Sequence, residues 1–202
     1  MKRIKLTVAY DGTNYHGWQI QPNAITVEGE LNKAISELTG EHIEVIGASR
    51  TDAGVHALGN VAVFDTESRI PGEKFSYALN QRLPEDIIIQ SSEEVALDFH
   101  PRYQECRKTY EYTILNRKFP LPEYRNTAHF DYGNLDVKAM RDACKAFIGE
   151  HDFAGFCSAG AQVKTTVRTI YSLEVECIEL GKAKPDGEKS EDLSDGTDKQ
   201  KE

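Results

Sequence analysis

The residues best suited to chemistry stand close together in the stretch GASRTDAGVHALGN, residues 47–60. Asp52 lies two residues after Arg50, two before Gly54 and four before His56. None of the four favours the interior of a helix or strand, so the stretch reads as a turn. As a turn residue, Asp52 caps nearby backbone amides. As a reactive group, its carboxylate attacks carbon or takes up a proton, and a neighbouring guanidinium keeps it ionised at neutral pH. Gly54 permits a backbone conformation that a side chain would obstruct. With no cysteine or carboxylate cluster near His56, the stretch does not read as a metal site. The residue types alone leave turn cap and reactive acid both open.

Flanking elements must hold that turn. RIKLTVAYDG alternates Ile4, Leu6 and Val8 with Lys5, Thr7 and Ala9, the period of a half-buried strand, and ends in the turn signal Asp11-Gly12. TVEGELNKAISELTG reads as a helix capped by Thr26, with Glu28 and Glu30 in its first turn and Gly40 past its end. Val27, Leu31, Ala34, Ile35 and Leu38 form its apolar stripe. HIEVIGA and HALGNVAVFDT read as strands on either side of the opening stretch, PGEKFSYALNQRL as a second helix ended by Pro84, and DIIIQSSEEV as a fourth strand. The order βαββαβ is that of a split-βαβ, ferredoxin-like unit.

A second unit is expected after DFHPRYQ. CRKTYEYTIL reads as a strand, LDVKAMRDACKAFIG as a helix with Met140, Ala143, Cys144, Phe147 and Ile148 on one face, and RTIYSLEVECIEL as a strand. The expected class is α+β: two ferredoxin-like (split βαβ, RRM-like) units with antiparallel sheets, the second incomplete. The first spans residues 1–97 and the second 98–180. Residues 181–202, with Leu193 as their one large apolar residue, read as a disordered acidic, polar tail or a truncated insertion.

The chain has 202 residues, 39% hydrophobic and 28% charged, enough for a real core. No segment approaches the ~20 apolar residues of a membrane span, and Asp11 and Asn14 cut the N-terminal apolar run before a signal-peptide core forms. Cys106, Cys144, Cys157 and Cys177 lie far apart and read as buried free thiols, which points to a reducing cytoplasm. Net charge is −9; residues 181–202 supply −2, with five lysines against seven acids, and residues 1–180 carry −7. A polyanion site therefore has to be a local basic patch. Arg102, Arg107 and Lys108 in HPRYQECRK, and Lys164 and Arg168 in QVKTTVR, are the candidates, with a solvated surface as the other reading of each.

SRTDAGVHA resembles the signature of the tRNA pseudouridine synthase A family. So do YDGTNYHGWQIQP (10–22), TVEGEL (26–31), DFHPRYQECRKTYEY (98–112) and FCSAGAQVKTTVRTI (156–170), in the family's order. The resemblance implies an enzyme that isomerises uridine to pseudouridine in the anticodon stem-loop of tRNA, near positions 38–40, using one catalytic Asp and no cofactor or metal. By that resemblance Asp52 is the catalytic acid. The uracil N1–C1′ bond breaks, the base turns and rejoins through C5, and one buried carboxylate beside the sugar meets the requirement. A paired uridine must first be extruded, at a cost of a few kcal/mol. Arg50 takes the place of the family's arginine that displaces and stabilises the flipped nucleotide.

Tyr110 matches the family's active-site tyrosine, which packs against the target uracil; its place beside Tyr112 and Ile114 on one strand face also suits a core residue. Arg102, Arg107 and Lys108 fall in a matched segment and suit phosphate contacts. Trp18 and Gln19 read equally as a packed loop or as an RNA contact. The resemblance further implies a cytoplasmic homodimer with a basic cleft for tRNA and no membrane partner. Ser49 departs from the family, which often has Gly there. Members continue through a GNGFLYNMVR-like strand, a helix and a GLYL-like strand, which supply an arginine for the catalytic Asp and a leucine lining the pocket. Neither motif occurs in residues 1–202, so a truncated chain with little activity is expected. The alternatives are a non-catalytic RNA-binding protein, since GNVAVFDT faintly echoes the aromatic strand of an RNA-recognition motif, and an inactive fragment of such a synthase.

Overall fold

A computed structural model describes residues 1–104, 106–157 and 165–180. The 181–202 tail and Lys164 lie outside them. The chain divides into two compact units, one of Met1–Thr113 with Leu121–Ala128, the other of Ile114–Pro120 with the described residues from 129 onward.

The first unit is built from β1 (Lys2–Tyr10), α1 (Val27–Thr39), β2 (Ile46–Gly47), β3 (Ala57–Thr66), α2 (Phe75–Leu79) and β4 (Ile87–Val95). Its sheet has the order β2-β3-β1-β4, with every neighbouring pair antiparallel. β1 buries Ile4, Leu6, Val8 and Tyr10, the alternation its sequence gives a strand with one covered face. Thr26 accepts the Gly29 amide at 3.3 Å to start α1, whose stripe of Val27, Leu31, Ala34 and Ile35 is buried. These side chains join Phe64, Phe75, Leu79, Ile87 and Ile89 in one core, with Phe64 and Phe75 edge to face at 5.2 Å.

Two elements are shorter than their apolar patterns imply, and for the first the cause is that side chains intercept its backbone amides. Over HIEVIGA only Ile46–Gly47 pairs as strand. The Ile43 amide instead donates to Ser36 Oγ at 3.0 Å and the Val45 amide to Asn32 Oδ1 at 2.8 Å, so α1 takes over those strand donors. After a 3-10 turn at Gly72–Lys74, α2 keeps only five residues. Asn80 then bonds both the amide and the carbonyl of Ile89, at 2.8 and 3.0 Å, imitating a strand neighbour for β4.

The chain leaving β4 crosses the sheet face opposite the helices. Arg3 binds Asp65 through two bonds of 2.7 Å and donates to the Phe99 carbonyl at 2.8 Å. Lys5 lies over the Phe99 ring. Farther along, Arg102 Nε donates to the Gly47 carbonyl at 2.8 Å. The crossing thus runs from β4 past β1 to β2.

The second unit holds β5 (Ile114–Asn116), β6 (His129–Asp131), α3 (Val137–Cys144), β7 (Gly149–Asp152) and β8 (Val167–Ile170). β5 and β6 pair in parallel, unlike the antiparallel arrangement expected; β7 and β8 are antiparallel. The strand expected over CRKTYEYTIL is reduced to Ile114–Asn116, and that over RTIYSLEVECIEL to Val167–Ile170. A strand needs a neighbour's ladder, and residues 106–113 have none among the described residues. Leu115 is this unit's one buried hydrophobic among the described residues. All four cysteines are free, but none is buried, contrary to expectation: three are exposed and Cys144 is intermediate.

Candidate active site

β2 and β3 form a hairpin that projects residues 50–56 as its turn. Its last bonds before the turn are Ala48 N–H to the Val61 carbonyl at 2.7 Å and Asn60 Nδ2 to the Ser49 carbonyl at 3.0 Å. Gly54, at φ +77°, and the Val55 amide bonded to the Asp52 carbonyl at 3.2 Å bring the chain round. β3 carries one extra residue between the pairs Val8–Asn60 and Tyr10–Ala57, a bulge that leaves Leu58 89% exposed.

The segment after β1 is wrapped around this turn. Trp18 N–H donates to the Thr51 carbonyl at 3.0 Å, Gly54 N–H to the Tyr15 carbonyl at 3.2 Å, and the Tyr10 and Thr51 hydroxyls share a 2.8 Å bond. The fit is close enough to demand glycine. A Cβ on Gly17, at φ +84°, would lie 2.4 Å from the Thr51 carbonyl oxygen, and one on Gly12 would lie 2.1 Å from that of Val55. The wrapping segment is itself fixed to Asp86, which takes the Tyr15 hydroxyl and, at 3.1 Å, Asn14 Nδ2. Burial pushes the Tyr10 and Tyr15 phenols up, and Asp86 adds to the shift of Tyr15. Asp11 is held below the usual carboxylate range by the Thr13 hydroxyl and amide and, less strongly, by His56.

Asp52 stands at the tip of this supported turn, and its side chain is exposed rather than buried. A turn tip has few neighbours: nothing lies within 4 Å of where a Gly54 Cβ would be. Arg50 is exposed too. Among the described residues, neither the Asp52 carboxylate nor the Arg50 guanidinium has a hydrogen-bond or ion-pair partner. The expected pairing of acid and guanidinium is therefore absent in the free chain. The basic segment does reach the hairpin: Arg102 binds the Gly47 carbonyl, and Lys108 Nζ donates to Ser49 Oγ at 2.9 Å. Arg107 is exposed, and Tyr110 is 82% exposed. Trp18 is packed, 1% exposed with its ring 5.9 Å from Tyr10, whereas Gln19 faces solvent. Arg168, in the second unit, is exposed.

Residues 6–104 and 143–185 match the family model of tRNA pseudouridine synthase. The chain belongs to the tRNA pseudouridine synthase family. The first matched block contains the whole Asp52 hairpin and the segment wrapped round it. Among named relatives, tRNA pseudouridine synthase A of Acetivibrio thermocellus is 52% identical over 176 residues, 87% of this chain and 72% of that protein. tRNA pseudouridine synthase A 2 of Clostridium perfringens matches equally well over the same shares. The Ruminiclostridium cellulolyticum synthase A is 53% identical over 175 residues, 87% of this chain and 71% of that protein.

Sequence reasoning missed two contributors to the site, Tyr10 and Thr51, which meet across 41 residues, and the reach of His56 to Asn126 across 70. The glycines at 12 and 17 were the available signal: both lie in the stretch just before Trp18, and both are demanded by the close approach of the turn.

Proposed function

We propose that the Asp52 hairpin is the catalytic centre of a tRNA pseudouridine synthase acting in the anticodon stem-loop, at positions 38–40. What supports the reading is one juxtaposition: a single exposed carboxylate, held at a backbone-anchored turn, within the block that matches the synthase family. The isomerisation needs no net oxidant or reductant. The N1–C1′ bond breaks, a C5–C1′ bond forms, the C5 proton leaves and N1 takes one up. Asp52 acts as nucleophile or base beside the sugar. Arg50 steadies the extruded nucleotide, Tyr110 packs on its uracil, and Arg102, Arg107 and Lys108 contact phosphates. Two ferredoxin-like units, the second incomplete, a homodimeric assembly and a cytoplasmic setting complete this reading.

Tritium release from tRNA labelled at uridine C5 tests it directly. The Asp52→Asn chain keeps the shape of the turn and removes the charge; it is expected to bind tRNA and release no tritium. Turnover retained in that variant places the chemistry on another residue.

A further inference from the structure

We infer that His56 is a positioning residue for the reaction, setting the place of Asp52 by clamping the outgoing limb of its turn onto the Asp11–Gly12 turn. The inference rests on the catalytic reading of Asp52. That carboxylate has no side-chain partner among the described residues, so its position is set by the backbone that carries it. The incoming limb is tied at Thr51 by the Trp18 amide and the Tyr10 hydroxyl. The outgoing limb, residues 53–56, has the Gly54 bond to the Tyr15 carbonyl and the Val55 bond within the turn, both at 3.2 Å. Beyond these, its polar anchorage among the described residues is the His56 ring.

That ring is half-buried and bound at both nitrogens. Nε2 faces the Asn126 carbonyl at 2.8 Å, and a carbonyl only accepts, so Nε2 carries a proton. Nδ1 faces two groups of one turn, the Gly12 amide at 3.3 Å and the Asp11 carboxylate at 3.0 Å. In the neutral ring Nδ1 accepts from Gly12; in the charged ring it donates to Asp11. Both forms hold the same turn. Gly12 in turn touches the Val55 carbonyl so closely that no Cβ fits between them. The bond from His56 to Gly12 therefore sets that contact, and with it the limb that follows Asp52.

Two conservative variants separate the ring's two ends. In His56→Asn the amide oxygen falls near the place of Nδ1 and accepts from Gly12; in His56→Gln the amide nitrogen falls near Nε2 and reaches only Asn126. Amide hydrogen exchange on the full chain, without RNA, reads the clamp itself. His56→Ala and His56→Gln are expected to speed exchange at Gly54 and Val55 about tenfold or more, with Leu6 and Val8 unchanged and His56→Asn close to wild type. In tRNA turnover, the first two variants are expected to lower kcat by roughly 10²-fold at nearly constant KM, and His56→Asn to recover most of it. Unchanged exchange at Gly54 and Val55 in His56→Ala overturns the clamp, as does equal rescue by Gln and Asn. A rise in KM alone overturns the positioning role. In a wild-type chain with little turnover, the outcome expected from the two missing motifs, the exchange measurement decides the clamp alone, while the catalytic reading is decided by tritium release in Asp52→Asn.

Discussion

α1 and α3 carry similar local signals and meet different fates. Both are capped by an oxygen side chain, Thr26 in one and Asp136 in the other, and both have an apolar stripe. α1 buries four residues, because the alternating faces of β1, β3 and β4 offer a surface of matching period. α3 buries none, and its unit buries Leu115 alone among the described residues. Amphipathic patterning thus specifies an element and the face it offers; burial also needs a sheet with enough hydrogen-bonded width to receive that face. The first unit has four strands joined in one hydrogen-bonded sheet, the second two pairs of short strands.

The sharpest separation of the two units is chemical. Asp52→Asn is expected to cut pseudouridine formation by at least about 10³-fold while leaving the unfolding midpoint of the first unit where it was, because the carboxylate holds no other side chain in place. The second separation is energetic. Trp18 is the one tryptophan and is buried in the first unit, so its fluorescence follows that unit's unfolding. Phe64→Ala is expected to cost about 3–5 kcal/mol by that probe in urea, and Phe147→Ala, half-buried in the second unit, under about 1. An equal cost for both would mean that the units unfold as one.

Within the first unit, Gly17→Ala is expected to cost roughly 1–3 kcal/mol by the same probe, since it adds a side chain at positive φ against the Thr51 carbonyl. Changing Arg107 and Lys108 to Ala tests the basic segment at the hairpin. The slope of log tRNA affinity against log salt is expected to fall by about one for each phosphate no longer neutralised; an unchanged slope makes the segment a solvated surface. The gentlest test is alkaline titration. Tyr10 and Tyr15 keep their protons in the folded chain at pH values where the unfolded chain has shed them. Stability is therefore whole below the ordinary phenol value of about 10 and declines as pH rises through it toward the folded values. Tyr10→Phe is expected to flatten that decline.

What the sequence made legible follows the range of the forces involved. β1, α1 with its Thr26 cap, β3 and β4 were readable because period and capping act over a few residues. β2 was over-read, since nothing local says that Asn32 and Ser36 will take its amides. The strand at 106–113 was over-read because an alternating pattern does not supply a partner. At the site, SRTDAGVHA and the segment around Arg102 singled out Asp52, Arg50 and the basic residues, and the structure puts Asp52 and Arg50 on one exposed turn with Arg102 and Lys108 bonded to its hairpin. The exposure of the acid, its lack of a guanidinium partner and the His56 clamp were not legible, because each depends on groups distant in sequence.

The bond from His56 to Asn126 bears on how the site comes into being during synthesis. The β-strands and α-helices of the first unit are complete by Val95, yet the turn's outermost anchor lies 70 residues beyond the histidine it holds. A chain made from its N-terminus can pair β1 with β3 and β4 and close its core before Asn126 has left the ribosome. Shape therefore precedes the finished site on the ribosome. A nascent chain released short of Asn126 would carry a folded sheet and every residue of the Asp52 turn, with the outgoing limb held by Gly54 on Tyr15, by Val55 within the turn and by His56 on the Asp11–Gly12 turn, but without its bond to Asn126.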